Sequence, residues 1–433
     1  MSHSPLKLAY YADDFTGSTD ALESLAQAGL RTRLFLTPPS TAQCAGLDAV
    51  GVAGFTRSLA PAAMEAVLQP AFAALRALNP RHVHYKVCST FDSSPTVGSI
   101  GRAIDVGAGV FGSRTVPLLV AAPALGRYCA FGNLYARYGI GSTGAIHRLD
   151  RHPAISRHPV TPMTEADLRV HLAAQTKRSI GLLAVPALER APAETAANFQ
   201  QLIESGHDII LIDGLTDAHL LRAGALIDGL AGHGPVFSVG SSGVESALTS
   251  YWSSCRAGSP EPASRMSQGG ISDPALQSSP LLVVSGSCSP VTGGQIDWAE
   301  ANGFTTVAFS PNALPSVVDA LRSGRPTVVY TSRGQASRAP FPAGELGTKL
   351  GQLAREAVAQ AGVRRLVVAG GDTSSYATRA LGIESLEMLA PLAPGAPLCR
   401  AHAPGSPLDG LEVNFKGGQV GAPNYFGTAC RGL

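Results

Sequence analysis

The chain has 433 residues, 45% of them hydrophobic and 15% charged, and a formal net charge of +2. That length implies two or three domains, and the composition excludes disordered and fibrous classes. There is no basic run to engage nucleic acid or a membrane surface, and no apolar stretch approaches the ~18 residues of a membrane span. The first residues hold no signal-peptide apolar region. The seven cysteines include no Cys-x-x-Cys, which argues against a disulfide framework or a zinc site. The expectation is a soluble, reduced, cytoplasmic protein.

Apolar runs alternate with helical patterns, the signature of parallel sheets with crossover helices. Strands are expected at 6–12, 32–36, 49–55, 82–87, 116–122, 180–185, 208–213 and 235–239. Helices are expected at 18–28, 61–78, 164–175, 195–205, 217–231 and 244–254. Residues 258–280 are small, polar and turn-rich, and read as a linker. A second series then begins, with strands at 281–284, 305–309, 327–330 and 365–369 and a late strand and turn at 411–418. Its helices fall at 291–301, 313–323 and 343–360. The fold class is α/β with two domains, each a mostly parallel sheet flanked by helices. Residues 1–257 form the first domain and residues 281–433 the second.

The first strand ends in Ala12-Asp13-Asp14-Phe15-Thr16-Gly17 and leads into a helix. Open α/β sheets place ligands at this end of a strand. Adjacent acids disfavour each other's ionised forms, so a metal, a substrate hydroxyl or a cation is expected nearby. Helix capping by Asp14 or Thr16 is the structural alternative. Lys86 ends the fourth strand, where an unpaired ammonium would be costly to bury. Asp13, Asp14 or Asp92 could neutralise it. Arg57 follows the third strand and could pair bidentately with a carboxylate. If strands one, three and four are neighbours, these groups share one sheet edge and suit a small sugar acid. Gly240-Ser241-Ser242-Gly243 opens a helix and could favour an anion or only tight packing.

The second domain offers three turns of glycine and hydroxyl residues. They are Ser285-Gly286-Ser287-Cys288-Ser289, Gly370-Gly371-Asp372-Thr373-Ser374-Ser375 and Lys416-Gly417-Gly418-Gln419-Val420-Gly421. Together they make a phosphate cradle, and Asp372 could hold Mg²⁺. Two Gly-x-G-x-x-Gly matches, at 107–112 and 139–144, lack the strand-then-helix context of a dinucleotide fingerprint. No P-loop motif is present. His147, His152 and His158 lie among arginines without metal-ligand spacing.

Five stretches occur in the order seen in the four-carbon acid sugar kinase family, which this chain resembles over nearly its whole length. They are Ala12 to Gly17, Lys86 to Ser93, Pro159 to Thr164, Val284 to Ser289 and Ala369 to Ser375. The resemblance implies an ATP-dependent kinase for 3-oxo-tetronate, D-threonate, D-erythronate or 3-oxo-isoapionate. The sugar acid would bind the first domain and ATP the second, with the active site in the interdomain cleft. By this resemblance Asp13, Asp14, Arg57, Lys86 and Asp92 are substrate-side residues. Ser285, Ser287, Gly370, Gly371, Asp372, Thr373, Gly418 and Gly421 are nucleotide-side residues. Two departures stand out: Asp372, where the family pattern has Glu, and Gly126-Arg127-Tyr128, where Gly-Arg-Thr is usual.

Phosphoryl transfer needs positioning and charge neutralisation more than covalent chemistry. Asp14, then Asp13, is the candidate for orienting and deprotonating the terminal hydroxyl. Arg57 and Lys86 are expected to grip the substrate carboxylate or the transferring phosphoryl group. The rival readings are a metal-dependent phosphohydrolase of a sugar acid phosphate and a non-catalytic sugar-acid or nucleotide sensor. A homodimer is the default assembly.

Overall fold

A computed structural model describes residues 6–138, 144–157, 161–232, 234–256, 280–334 and 343–431. The chain divides into two compact units. One holds Met1–Thr32 and Pro38–Ser264, the other Arg33–Thr37 and Arg265–Leu433. The expected linker, apart from residue 280, lies outside the described residues, as do the 139–143 part of one glycine motif, His158, and Pro159 and Val160.

The strands run in order β1 (Leu8–Ala12), β2 (Thr32–Phe35), β3 (Ala49–Ala53), β4 (His82–Lys86), β5 (Val116–Leu119), β6 (Arg127–Ala130), β7 (Asn133–Arg137), β8 (Ile146–Arg148), β9 (Ile180–Leu183), β10 (Ile209–Ile212) and β11 (Val236–Gly240). Then come β12 (Leu281–Ser285), β13 (Thr305–Ala308), β14 (Thr327–Tyr330), β15 (Arg365–Ala369), β16 (Ser385–Ala393), β17 (Ala396–His402) and β18 (Glu412–Lys416). In the first unit, β3-β1-β4-β11-β5-β10-β9 form a wholly parallel sheet. β1 and β4 are buried along their whole length, because helices cover both faces of such a sheet. β1 leads by its helix toward β3, whereas β4 leads away to the other side. The β1/β4 junction is therefore a topological switch point, where a crevice opens beyond the strand ends.

In the second unit, β13-β14-β12-β15-β18 are parallel, and β17 and β16 add antiparallel strands. Phe35 and Leu34 pair with Ser385 and Leu386 of β16, which draws Arg33–Thr37 into this unit. The fold class is as the sequence pattern implies, and the parallel strands fall within a few residues of expectation. Two antiparallel features were not legible. One is the small sheet β6-β7-β8. The other is the β16/β17 pair, where Pro391 and Pro397 mask the strand pattern. The glycine motif at 107–112 lies inside the helix Ile100–Phe111 and its cap Gly112. A Cβ at Gly107 would sit 2.1 Å from the Phe237 ring, so close helix packing explains that glycine.

Candidate active site

The helix Phe15–Gln27 starts directly after β1, and Asp14 is its N-cap, accepting from the Gly17 N–H at 2.7 Å. Thr16 does not cap; its hydroxyl donates to Asp14 Oδ2 at 2.7 Å. Both readings of the acid pair meet in Asp14, which caps the helix and also joins an ion cluster. Arg57 Nε and Nη2 donate to the two oxygens of Asp13 at 3.1 and 2.8 Å, and Nη1 donates to Asp14 Oδ2 at 2.8 Å. The backbone locks this geometry, since Arg57 N donates to Asp13 O at 3.0 Å and Asp13 N to Lys86 O at 2.9 Å. β3, β1 and β4 are adjacent, so Arg57, the acid pair and Lys86 share one edge.

Burial works against the charges of this cluster; it prevails at Asp13, whose pKa ends above the usual carboxylate value, and is overcome at Arg57. For Asp13, burial raises the pKa and Asp14 adds to that, while Arg57 opposes it. For Arg57, burial is outweighed by Asp13 and Asp14, which hold its pKa well above the usual value. The cluster therefore keeps a fixed guanidinium between two carboxylates. Its bidentate edge is occupied by Asp13.

Lys86 is paired with Asp20 rather than with the acids expected from sequence, at 3.1 Å. Its ammonium also donates to Val87 O at 3.2 Å. Burial lowers the Lys86 pKa, but Asp20 first, then Glu245 and Asp13 among the carboxylates, raise it overall. Asp20 sits one turn into the helix, and no motif pointed to it. Gly17 makes room for the cluster: a Cβ there would lie 2.6 Å from Asp14 Oδ1, 3.4 Å from Lys86 Nζ and 3.8 Å from Asp13 Oδ1.

Beyond β4, Thr90 Oγ1 donates to Asp92 Oδ1 at 3.0 Å and lies 2.9 Å from Cys88 Sγ. Phe91 between them is fully buried at φ +57°, a left-handed strain that a non-glycine residue accepts only where the fold imposes it. Burial pushes the Cys88 thiol up to about 11, so it is protonated and no nucleophile.

In the second unit the ends of β12, β15 and β18 are tied together. Gly286 N donates to Ala369 O at 3.1 Å and Gly370 N to Lys416 O at 2.9 Å. Three serines form a ladder: Ser287 N donates to Ser285 Oγ at 3.4 Å, Ser289 N to Ser287 Oγ at 3.2 Å, and Val291 N to Ser289 Oγ at 3.2 Å. Gly418 packs on this ladder, since a Cβ there would lie 2.7 Å from Ser287 Oγ. Ser289 caps the helix Pro290–Ala301, but the helix Gly371–Leu381 has no side-chain cap. Its first N–H groups have no partner within the helix, and space is open at Gly371, where an added Cβ meets nothing within 4 Å. Gly370 reaches φ +121°, which suits only glycine. Open space and uncapped N–H groups fit a phosphate chain. Gly421 answers to packing, since a Cβ there would lie 2.1 Å from the Tyr425 ring. The side chains of Asp372 and Thr373 lie outside the described residues.

A densely charged edge in one unit and an uncapped, glycine-lined helix start in the other are the features that an α/β enzyme with two ligand-binding units would carry. Comparison with known proteins agrees. A family described as "Sugar-binding N-terminal domain" matches residues 8–248, and one described as "Nucleotide-binding C-terminal domain" matches residues 282–426. The 3-oxo-isoapionate kinase of Paraburkholderia graminis is 41% identical, covering 99% of this chain and 94% of its own. The 3-oxo-tetronate kinase of Cupriavidus necator is 32% identical, covering 100% and 98%. A Salmonella typhimurium structure described as a putative tRNA synthase superposes with a TM-score of 0.75 at 25% identity, covering 98% of each chain. A Haemophilus influenzae protein of the DUF1537 family gives 0.70 at 20% identity, covering 97% of this chain and 98% of its own, and shows the fold alone. The chain belongs to the four-carbon acid sugar kinase family. It is an ATP-dependent sugar acid kinase, and the phosphohydrolase and sensor readings are not favoured.

Proposed function

We propose that this kinase phosphorylates a hydroxyl of 3-oxo-isoapionate or a sugar acid of closely similar shape, with Asp14 orienting and deprotonating that hydroxyl. The observation that carries the site assignment is the Arg57 clamp on Asp13 and Asp14 at the sheet switch point. The higher identity to a 3-oxo-isoapionate kinase, 41% against 32% for a 3-oxo-tetronate kinase, supports the choice of acid.

Asp14 is more exposed than Asp13, at 9% against 2%, and would meet the substrate first. Arg57 and the Gly17 N–H fix its carboxylate in one orientation, so no reorganisation is needed when the proton moves. Asp13 holds Arg57 in place. Lys86 adds a fixed positive charge behind the acids, which favours an anionic substrate. ATP supplies the phosphoryl group, and Mg²⁺, held with help from Asp372, would neutralise it. The N–H groups that open the helix Gly371–Leu381 would hold phosphate oxygens. The Ser285–Ser287 ladder would shape the Gly418 turn beside them.

Among the described residues, no helix is long and apolar enough to cross a membrane. All seven cysteines are free thiols, which supports a reducing, cytoplasmic setting. A homodimer is proposed only on the general frequency of such assemblies, and light scattering checks it.

The test is initial rates with ATP and Mg²⁺ on 3-oxo-isoapionate, 3-oxo-tetronate, D-threonate and D-erythronate. The highest kcat/KM is expected for 3-oxo-isoapionate. A clear preference for a four-carbon acid overturns the substrate assignment.

A further inference from the structure

The expected carboxylate grips, Arg57 and Lys86, both have acid partners already. Arg127 does not. It opens β6 on the loop that leaves β5, at the same carboxyl edge of the sheet as the acid pair. Its residue is 5% exposed. Among the described residues only one of its guanidinium nitrogens is engaged: Nη1 donates to the carbonyls of Leu125, Gly126 and Arg137 at 3.1, 3.3 and 3.2 Å. Nε is buried without a hydrogen-bond partner. Among the described residues no carboxylate forms an ion pair with it.

A buried guanidinium held by neutral carbonyls alone is costly. Its Nε–Nη2 edge takes a carboxylate through two parallel hydrogen bonds, and Arg57 binds Asp13 through that same edge. Burial lowers the Arg127 pKa, and the acids that oppose it are Asp92, on the loop beyond β4, and Asp20, the partner of Lys86. Arg127 therefore belongs to the field of the acid-sugar edge.

His152 is near enough for the Arg127 charge to act on it. Its Nδ1 accepts from Ala154 N and Ile155 N, both at 3.2 Å, so the ring proton sits on Nε2. Burial and the charge of Arg127 lower its pKa and keep it neutral. The backbone of Arg137 opposes that lowering, and Nε2 is buried with no partner in hydrogen-bond geometry among the described residues. Arg127 thus has a neutral N–H donor for a neighbour, and Arg127 Nε and His152 Nε2 each lack an acceptor among the described residues.

We propose that Arg127 anchors the carboxylate of the sugar acid through its Nε–Nη2 edge. This rests on the sugar acid kinase reading and names the residue that selects an acid over a neutral sugar.

The test is calorimetric binding of 3-oxo-isoapionate, D-erythronate and the neutral polyol erythritol, without nucleotide, to wild type, Arg127→Gln and Arg127→Lys. Kinase rates are measured on the same proteins. A charge-assisted fork contributes a factor of about 10 to 100. Both variants should lose that factor for the acid that wild type binds best, with erythritol binding and the KM for ATP unchanged. Arg127→Lys keeps a cation for the three carbonyls, so it separates hairpin support from the fork. Equal affinity for the acid in wild type and both variants overturns the anchor. So does an equal loss for acid and polyol, and so does a wild type that binds none of the acids. Tight acid binding without phosphorylation by wild type overturns the kinase reading while leaving the anchor standing.

Discussion

At the carboxyl edge of the first sheet charge is dense and paired: Arg57 with Asp13 and Asp14, Lys86 with Asp20. At the matching edge of the second sheet the work falls to glycines, serine hydroxyls and an uncapped helix start. A buried lysine sits there, Lys416, whose side-chain amine donates to Thr292 Oγ1 at 3.0 Å and faces the Tyr425 ring at 5.6 Å. The difference is what the proposed ligands would require. A small sugar acid offers few atoms, so it must be read by fixed charges. A phosphate chain offers many equivalent oxygens and can be held by backbone N–H groups.

Arg57→Met attacks the charged edge at its centre. It leaves two buried carboxylates without their cation, and about 3–5 kcal/mol of stability should be lost in denaturant unfolding. A loss below about 1 kcal/mol would mean that the cluster behaves as a solvated surface pair. Gly17→Ala pushes a methyl toward Asp14 Oδ1. A folded enzyme with kcat down about a hundredfold is expected, because misplacement of a reacting group by an ångström costs that much. Unchanged kcat would separate the Asp14 orientation from turnover.

Gly371→Ala makes the opposite comparison in the second unit. The methyl meets no protein atom, so the thermal midpoint should hold or rise slightly. The KM for ATP should rise about tenfold from crowding of the phosphate, on the scale of one lost charge-assisted contact, with the KM for the sugar acid unchanged. An unchanged KM for ATP would remove this helix start from the nucleotide site.

The smallest effect concerns Lys416, whose pKa burial lowers to about 7. Between that value and the ordinary lysine value of 10.5 the unfolded chain holds a proton that the folded protein does not. Stability from this group therefore rises with pH across that window, and the full penalty applies below it. Lys416→Met should raise stability near neutral pH and flatten the difference between urea midpoints at pH 7.5 and 9.5. Equal slopes in wild type and variant would show that Lys416 stays charged.

The parallel strands were readable because each is a short apolar run bounded by turn residues. Asp13, Asp14, Arg57 and Lys86 could be grouped from sequence, since three adjacent strands end in them. Asp20 could not, because a single acid one turn into a helix resembles any solvated helix acid. Arg127 was visible only as part of a Gly-Arg-Tyr departure. Its meaning lies in which nitrogens are satisfied, and that depends on the carbonyls of Leu125, Gly126 and Arg137. The β16/β17 pair was hidden by its prolines, and the cap role of Asp14 rather than Thr16 turned on a side-chain rotamer.

The central claim is that Asp14 handles the substrate hydroxyl. It is tested most directly by single-turnover phosphoryl transfer from ATP to 3-oxo-isoapionate in wild type and Asp14→Asn. Asparagine caps a helix about as well as aspartate, so the fold should persist. The account predicts a transfer rate down about 10²- to 10⁴-fold, with nucleotide and acid still bound. A rate near that of wild type contradicts it.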